Sequence, residues 1–269
     1  MDAAERAVHW DGAVNARDLG GLPVAGGRRV RPGRLIRMGR AEWLTEQGWR
    51  QAWEDGVRTV IDLRNEQEQG RRDTDPEVPD AVQARFRRLS LPIQDWQDPD
   101  FTALTGPYMD SPRFYRENLR RWPRRLAAVT EAIAEAPDGG VVFHCSAGRD
   151  RTGLVAMLLL QLAGAAPETI AADYVQGLCG INAHHARQRT PRERPLTPAE
   201  LHDRAEAERA ALLAALEGFD AEGYLRSAGV RPRVPDRLRG RMLDPDPHHG
   251  PDAGRQRQRT RGRLSSEHS

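Results

Sequence analysis

The residues with the clearest chemical potential lie in HCSAGRDRTG, His144 to Gly153, where five residues separate a nucleophile from a planar cation. Cys145 follows the apolar run VVF and precedes the longer run LVAMLLLQLAG, which predicts a buried strand ending at the cysteine and a helix from about Thr152 to Ala163. A cysteine at such a junction meets the positive end of a helix and its unpaired N–H groups, which stabilise a thiolate. Cysteines so placed have pKa values of about 3.5 to 7.5, against roughly 8.5 for a free thiol. The spacing lets the backbone curl once, so that Ser146, Ala147, Gly148, Arg149 and Asp150 can turn their amides toward a common centre suited to a tetrahedral oxyanion. Arg151 closes that ring with a fork that can follow phosphate oxygens into a transition state. Gly148 permits the tight backbone, and Thr152 can donate to the thiolate. Cys145 to Thr152 therefore read as a phosphate cradle with a nucleophile at its floor.

Such a loop needs a sheet edge to stand on. Upstream, VRTVIDLRN from Val57 has the β-branched content of a buried parallel strand, and Thr45 is placed to cap a helix before it. Asn65 and Glu68 have the spacing of a capping box and predict another helix after that strand. Residues 85–91 predict a further strand, and 112–136 predict helix interrupted at Trp122-Pro123. The alternation of strand and helix gives an α/β class: a central, mostly parallel sheet flanked by helices. A C-terminal helical block follows over about 167–243, including a helix from Pro198 to Leu216, with an exposed linker ARQRTPRERPLTP before it. The catalytic domain is thus expected over 1–243. Residues 244–269, mostly Pro, Gly, His, Asp and Arg, are expected to be disordered.

Composition removes several alternatives. All 41 basic residues are arginine, so a Walker loop, a pyridoxal Schiff base and a lysine general base are excluded. The net charge of +2 gives no general reason to expect nucleic acid as a partner. The apolar stretch Leu154 to Ala166 falls short of the roughly 20 residues that span a bilayer, so no integral membrane segment is expected. The first residues lack a secretory pattern, and two cysteines do not make a disulfide framework, which together suggest the cytoplasm, with export by another route open.

HCSAGRDRTG resembles the signature loop of the Cys-x5-Arg protein tyrosine phosphatases, in particular a bacterial branch whose loop reads HCxAGKDRTG. NARDLGG at 15–21, GRLIRMG at 33–39, VIDLRNEQE at 60–68, DYVQG at 173–177 and EGYLRSAGV at 222–230 are similar to other motifs of that branch, so the resemblance covers roughly 10–243. It implies the tyrosine phosphatase fold and a two-step hydrolysis without cofactor or metal. Cys145 attacks phosphorus, a cysteinyl-phosphate forms, and water releases phosphate. The implied substrate is a phosphotyrosine-containing protein or a phosphoinositide, since the branch acts on both, a breadth associated with the basic position held here by Arg149. A rhodanese-type sulfurtransferase and a non-catalytic phosphate-binding module are the competing functions; the complete loop argues against the first, and retention of both Cys145 and Arg151 against the second.

A phenolate leaving group needs a proton, and two aspartates compete to give it. Asp150 matches the aspartate proposed as the acid in the branch, whereas Asp95 lies in LPIQDW, about where other Cys-x5-Arg phosphatases carry a mobile acid loop. Trp122-Pro123 is followed by Arg124 and so lacks the acid of a Trp-Pro-Asp loop. His144 points away from its neighbour on the strand and is expected to orient the loop. Asp62 and Arg64 are expected to brace loops at the strand ends, with Asn15, Arg17 and Asp18 either bracing or touching substrate. Met38, where the branch more often has serine, is given no role. Cys179 is expected to be a structural core thiol, or a redox partner of Cys145. His184-His185 and His248-His249 lack the partners of a metal site and are expected at the surface.

Overall fold

The computed structural model describes residues 4–244. Nearly all of the expected C-terminal tail, and His248-His249 with it, therefore lies outside the described residues. Five strands form one sheet: β1 (Arg17–Asp18), β2 (Leu35–Met38), β3 (Val57–Asp62), β4 (Arg87–Ser90) and β5 (Gly140–His144). Their order is β1-β2-β5-β3-β4, with β1 antiparallel to β2 and all other pairs parallel. The strand that delivers Cys145 is thus the middle one. Every residue of β5 is buried, as expected for a parallel strand covered on both faces. Its side chains alternate: Val141 and Phe143 enter the larger apolar cluster, while Val142 enters a smaller one on the other face.

The smaller cluster is covered by α1 (Glu46–Glu54) and α2 (Asp80–Gln83), through Trp49, Ala52 and Val82. The larger face carries α3 (Pro99–Thr105), α4 (Tyr115–Arg121), α5 (Pro123–Ala134), α6 (Asp150–Leu162), α7 (Pro167–Ala186), α8 (Pro198–Leu216), α9 (Ala221–Ser227) and α10 (Val234–Met242). Helix α6 is apolar on all sides and buried from Arg151 to Leu160, so it packs as the central helix of that layer. No described helix is long and apolar enough to cross a membrane.

Local chemistry accounts for most boundaries. Thr45 caps α1 by accepting from Gly48 N at 3.1 Å, and Thr197 with Glu200 forms a capping box at the start of α8. Trp122-Pro123 divides α4 from α5, and the Trp122 ring packs on Phe101 at 4.5 Å. One expectation is corrected: Asn65 to Glu68 does not open a helix but makes a single 3-10 turn, Glu66–Glu68. Gly70, at φ +96°, turns the chain away two residues later, so the capping geometry has no helix to extend.

The register aligns the strand ends. Met38 and Asp62 both pair with His144, and Ser90 pairs with Asp62. The segments that follow β2, β3, β4 and β5 consequently leave the sheet side by side at its carboxyl edge, where open α/β sheets place their sites.

Candidate active site

Residues 145–149 bridge the end of β5 and the start of α6. Among the described residues, the backbone N–H groups of Ser146, Ala147, Gly148 and Arg149 donate to no protein acceptor. The Thr152 hydroxyl, fully buried in the first turn of α6, donates to Cys145 Sγ at 3.0 Å. The loop is fastened from outside through its carbonyls: Arg40 N donates to Ser146 O at 3.1 Å, Asn15 Nδ2 to Ala147 O at 2.9 Å, and Arg37 Nη2 to Gly148 O and Arg149 O at 3.1 and 2.9 Å. With the carbonyls held outward, the amides are left for an anion above the sulfur.

Gly148 carries that turn at φ +69°. A Cβ there would lie 2.4 Å from Met38 C and 2.5 Å from Gly39 N, both backbone atoms of the neighbouring strand end. Gly148→Ala is therefore expected to cost about 2–5 kcal/mol of stability, from left-handed strain plus overpacking. Denaturant unfolding checks it; a variant as stable as wild type would mean the loop can move off β2.

Arg151 is anchored by a residue that the sequence offered only as a cap. Its Nη1 and Nη2 donate to Glu68 Oε2 and Oε1 at 2.5 and 2.7 Å. Although burial works against both charges, the pairing holds the Glu68 carboxyl below its usual range and the Arg151 guanidinium above its own, with Cys145 adding to the latter. Glu68 also accepts from Asn65 N at 3.1 Å, so the tight turn after β3 fixes it. Arg64 braces the same turn, donating to Asp62 at 2.6 and 2.9 Å, to Glu42 at 2.7 Å and to Glu68 O at 3.1 Å.

The N-terminal motif braces rather than lines the site. Asp173, buried on α7, receives Arg6 at 3.2 Å, Arg17 at 3.1 Å and Arg37 at 2.5 Å. Burial opposes its charge, but the arginines hold its carboxyl far below the usual carboxylate range. Burial, then Arg37, pushes the Arg17 guanidinium down to about 10, and Asp173 opposes that fall. Asn15 also reaches Gly177 O at 2.9 Å, and Asp18 accepts from Gly20 N at 2.7 Å.

A model of the tyrosine phosphatase family matches residues 8–244. The chain belongs to the tyrosine phosphatase family. A Cupriavidus necator protein, whose name places it among the tyrosine-protein phosphatases, is 35% identical over 62% of this chain and 61% of its own length. A tyrosine-protein phosphatase of Nostoc commune is 33% identical over 70% of this chain and 66% of its own. The chain thus spans less than two thirds of the length of both. The Mycobacterium tuberculosis triple specificity protein phosphatase PtpB is 30% identical over 86% of this chain and 97% of its own. The solved structure of P. aeruginosa TpbA is a distant likeness, at TM-score 0.39 and 17% identity over 81% of this chain and 96% of that one.

In this family member the cradle opens into a cleft of about 340 Å³. Cys145, Ser146, Ala147, Arg149, Asp150 and Arg151 line it; Gly148 and Thr152 lie behind, the one shaping the turn and the other bound to the sulfur. Asp150 accepts from Tyr174 Oη at 2.6 Å and from Arg149 Nε at 3.0 and 3.1 Å. Asp95 lies outside the lining: it caps Gln97 N at 2.9 Å and pairs with Arg125 at 3.1 Å, half-exposed, while its neighbours Gln94 and Trp96 do line the cleft. His144 is buried with Nε2 3.9 Å from Asp62, and burial pushes its imidazole below the usual value, against the pull of Asp62.

Two expectations are corrected. Cys179 is exposed on α7 and is no core thiol. His184 and His185 are not surface residues: both line the cleft at the end of α7, and His184 packs on Trp43 at 4.9 Å. The linker before α8 is exposed as expected, with no residue of 186–198 buried, and it also supplies Glu193, which pairs with Arg149 at 3.1 Å. Among the described residues, no cluster of three or more His, Cys, Asp or Glu side chains is gathered as a metal site.

Proposed function

We propose that this chain hydrolyses phosphotyrosine through a cysteinyl-phosphate. The observation that carries the reading is that four loop amides without a protein acceptor follow Cys145, which shares one cleft with the anchored Arg151 and accepts from Thr152 at its sulfur. The sulfur attacks phosphorus as the P–O bond to tyrosine breaks, and Asp150 gives its proton to the phenolate. Asp150 then takes a proton from the attacking water, the P–S bond breaks, and inorganic phosphate leaves with the thiolate restored. Charge that develops on the phosphoryl oxygens is met by Arg151 and the amides of 146–149.

Asp150 is favoured over Asp95 because it lines the cleft beside Arg151 while Asp95 faces Arg125. Asp150→Asn is expected to lower kcat on phosphotyrosine by about 10² to 10⁴, and far less on para-nitrophenyl phosphate, whose leaving group is a weaker base. Equal losses on the two substrates would reject the assignment. Two features favour an aryl phosphate over a phosphoinositide: Trp43 and Trp96 flank the cleft, and Arg149 is buried between Asp150 and Glu193. Phosphate release from phosphotyrosine peptides and from phosphoinositides, each with a Cys145→Ser control, tests the reading; release from phosphoinositides alone would overturn it.

A further inference from the structure

Arg40, Arg72, Arg149, Arg151 and Arg192 line the cleft. Three of them are committed within the protein: Arg151 to Glu68, Arg149 to Asp150 and Glu193, and Arg40 to Asp75 at 2.6 Å and Glu42 at 3.3 Å. The guanidinium groups of Arg72 and Arg192 are exposed, and among the described residues neither is paired with a carboxylate. They come from different loops, the turn after β3 and the linker before α8, yet they sit in one electrostatic neighbourhood. Partial burial, then Arg40, then Arg192, draws the Arg72 guanidinium below the ordinary arginine value, against the pull of Asp75, whose Oδ2 accepts from Arg72 N at 2.7 Å. Behind them Arg40 Nη1 is buried with no hydrogen-bond partner. Like charges that crowd one wall repel each other, and an anion seated among them removes that repulsion.

We propose that Arg72 and Arg192, backed by Arg40, form a second anion subsite that takes a carboxylate or phosphate on a residue flanking the phosphotyrosine. The proposal rests on the phosphotyrosine reading of the cradle and names the substrate class within it. Trp96 supports the peptide geometry: its ring lies 5.5 Å from the Arg151 guanidinium carbon and is half-exposed, so it offers a flat apolar face where the tyrosine ring would lie. The second anion then belongs to a neighbouring residue that reaches the rim.

The test is the ratio of kcat/KM for matched phosphotyrosine peptides with acidic and with neutral flanks. Wild type is expected to prefer the acidic peptide about five- to tenfold, mostly through KM, with the preference shrinking as salt rises. In the Arg72→Gln/Arg192→Gln double variant the ratio is expected to fall close to one. A ratio that survives in the double variant overturns the subsite. If the double variant keeps its peptide ratio but loses discrimination between soluble mono- and bisphosphorylated inositol headgroups, the peptide assignment is overturned. Calorimetric binding of the same peptides to Cys145→Ser, with and without the two arginines, reads the subsite independently of turnover. Loss of acidic preference in binding supports the subsite even if phosphate release, and with it the proposed function, were to fail.

Discussion

Replacing Cys145 by serine is expected to lower kcat toward a phosphotyrosine peptide by roughly 10⁴ to 10⁶ while the variant still binds that peptide. The size of the loss follows from what surrounds the sulfur. A thiolate needs no partner to take its proton at the moment of attack, whereas a serine hydroxyl does. The nearest imidazole, His144, is buried next to Asp62 and has its Nδ1 3.4 Å from Cys145 O, so it serves the backbone and not the nucleophile. The cradle stays intact in the variant, because Arg151 remains on Glu68 and the loop carbonyls remain on Asn15, Arg37 and Arg40. Serine is close to cysteine in shape, so unfolding should occur near the wild-type midpoint. Single-turnover phosphate release and equilibrium binding measure the two halves of the expectation. Near-wild-type turnover would sink the cysteinyl-phosphate mechanism.

Asp173→Asn is expected to destabilise the fold by about 3–5 kcal/mol near neutral pH, because three buried guanidinium groups lose their shared carboxylate. Activity should fall as well, since Arg37 holds Asp173 with one nitrogen and the carbonyls of Gly148 and Arg149 with the other. The pH dependence separates this charge effect from a packing effect. The carboxyl is held far below its usual range in the folded protein, so its contribution is fully present above about pH 4, the unfolded value, and is lost as pH falls through the folded one. Wild type should therefore lose stability toward acid more steeply than the asparagine variant. Urea unfolding at several pH values checks this, and a stability gap that persists unchanged in acid would point to packing instead.

The cradle was legible because its chemistry is local. One strand, one loop and one helix N-terminus lie within HCSAGRDRTG, and apolar run lengths alone mark both flanks. The order of the parallel strands was less so, since β5 enters the sheet between β2 and β3, which precede it by about a hundred residues and are nowhere adjacent in sequence to it. That insertion is what brings Glu68 to Arg151, and nothing in the spacing of residues 65 and 68 distinguished an anchoring carboxylate from a helix cap. Asp173 lay in a quoted motif, but its three arginines come from positions 6, 17 and 37, and only the fold gathers them. The linker before α8 is exposed, as its composition implies, but composition does not record the ion pair that Glu193 makes with Arg149. Residues 184 and 185 owe their place to the last turn of α7, whose direction toward the cleft is set by tertiary packing and not by the spacing of two adjacent histidines.

The pairing of Glu68 with Arg151 has a thermodynamic consequence. A guanidinium carries five N–H donors; Glu68 engages one on each terminal nitrogen and Ser146 Oγ, at 3.4 Å, takes a second from Nη2, which leaves Nε–H and one hydrogen on Nη1. An unrestrained arginine gives up as much as about 2 kcal/mol of rotamer freedom when a ligand fixes it. Here that freedom is lost when the chain folds, so the arriving phosphate meets a plane already set, and its affinity reflects contacts with little deduction for ordering the clamp.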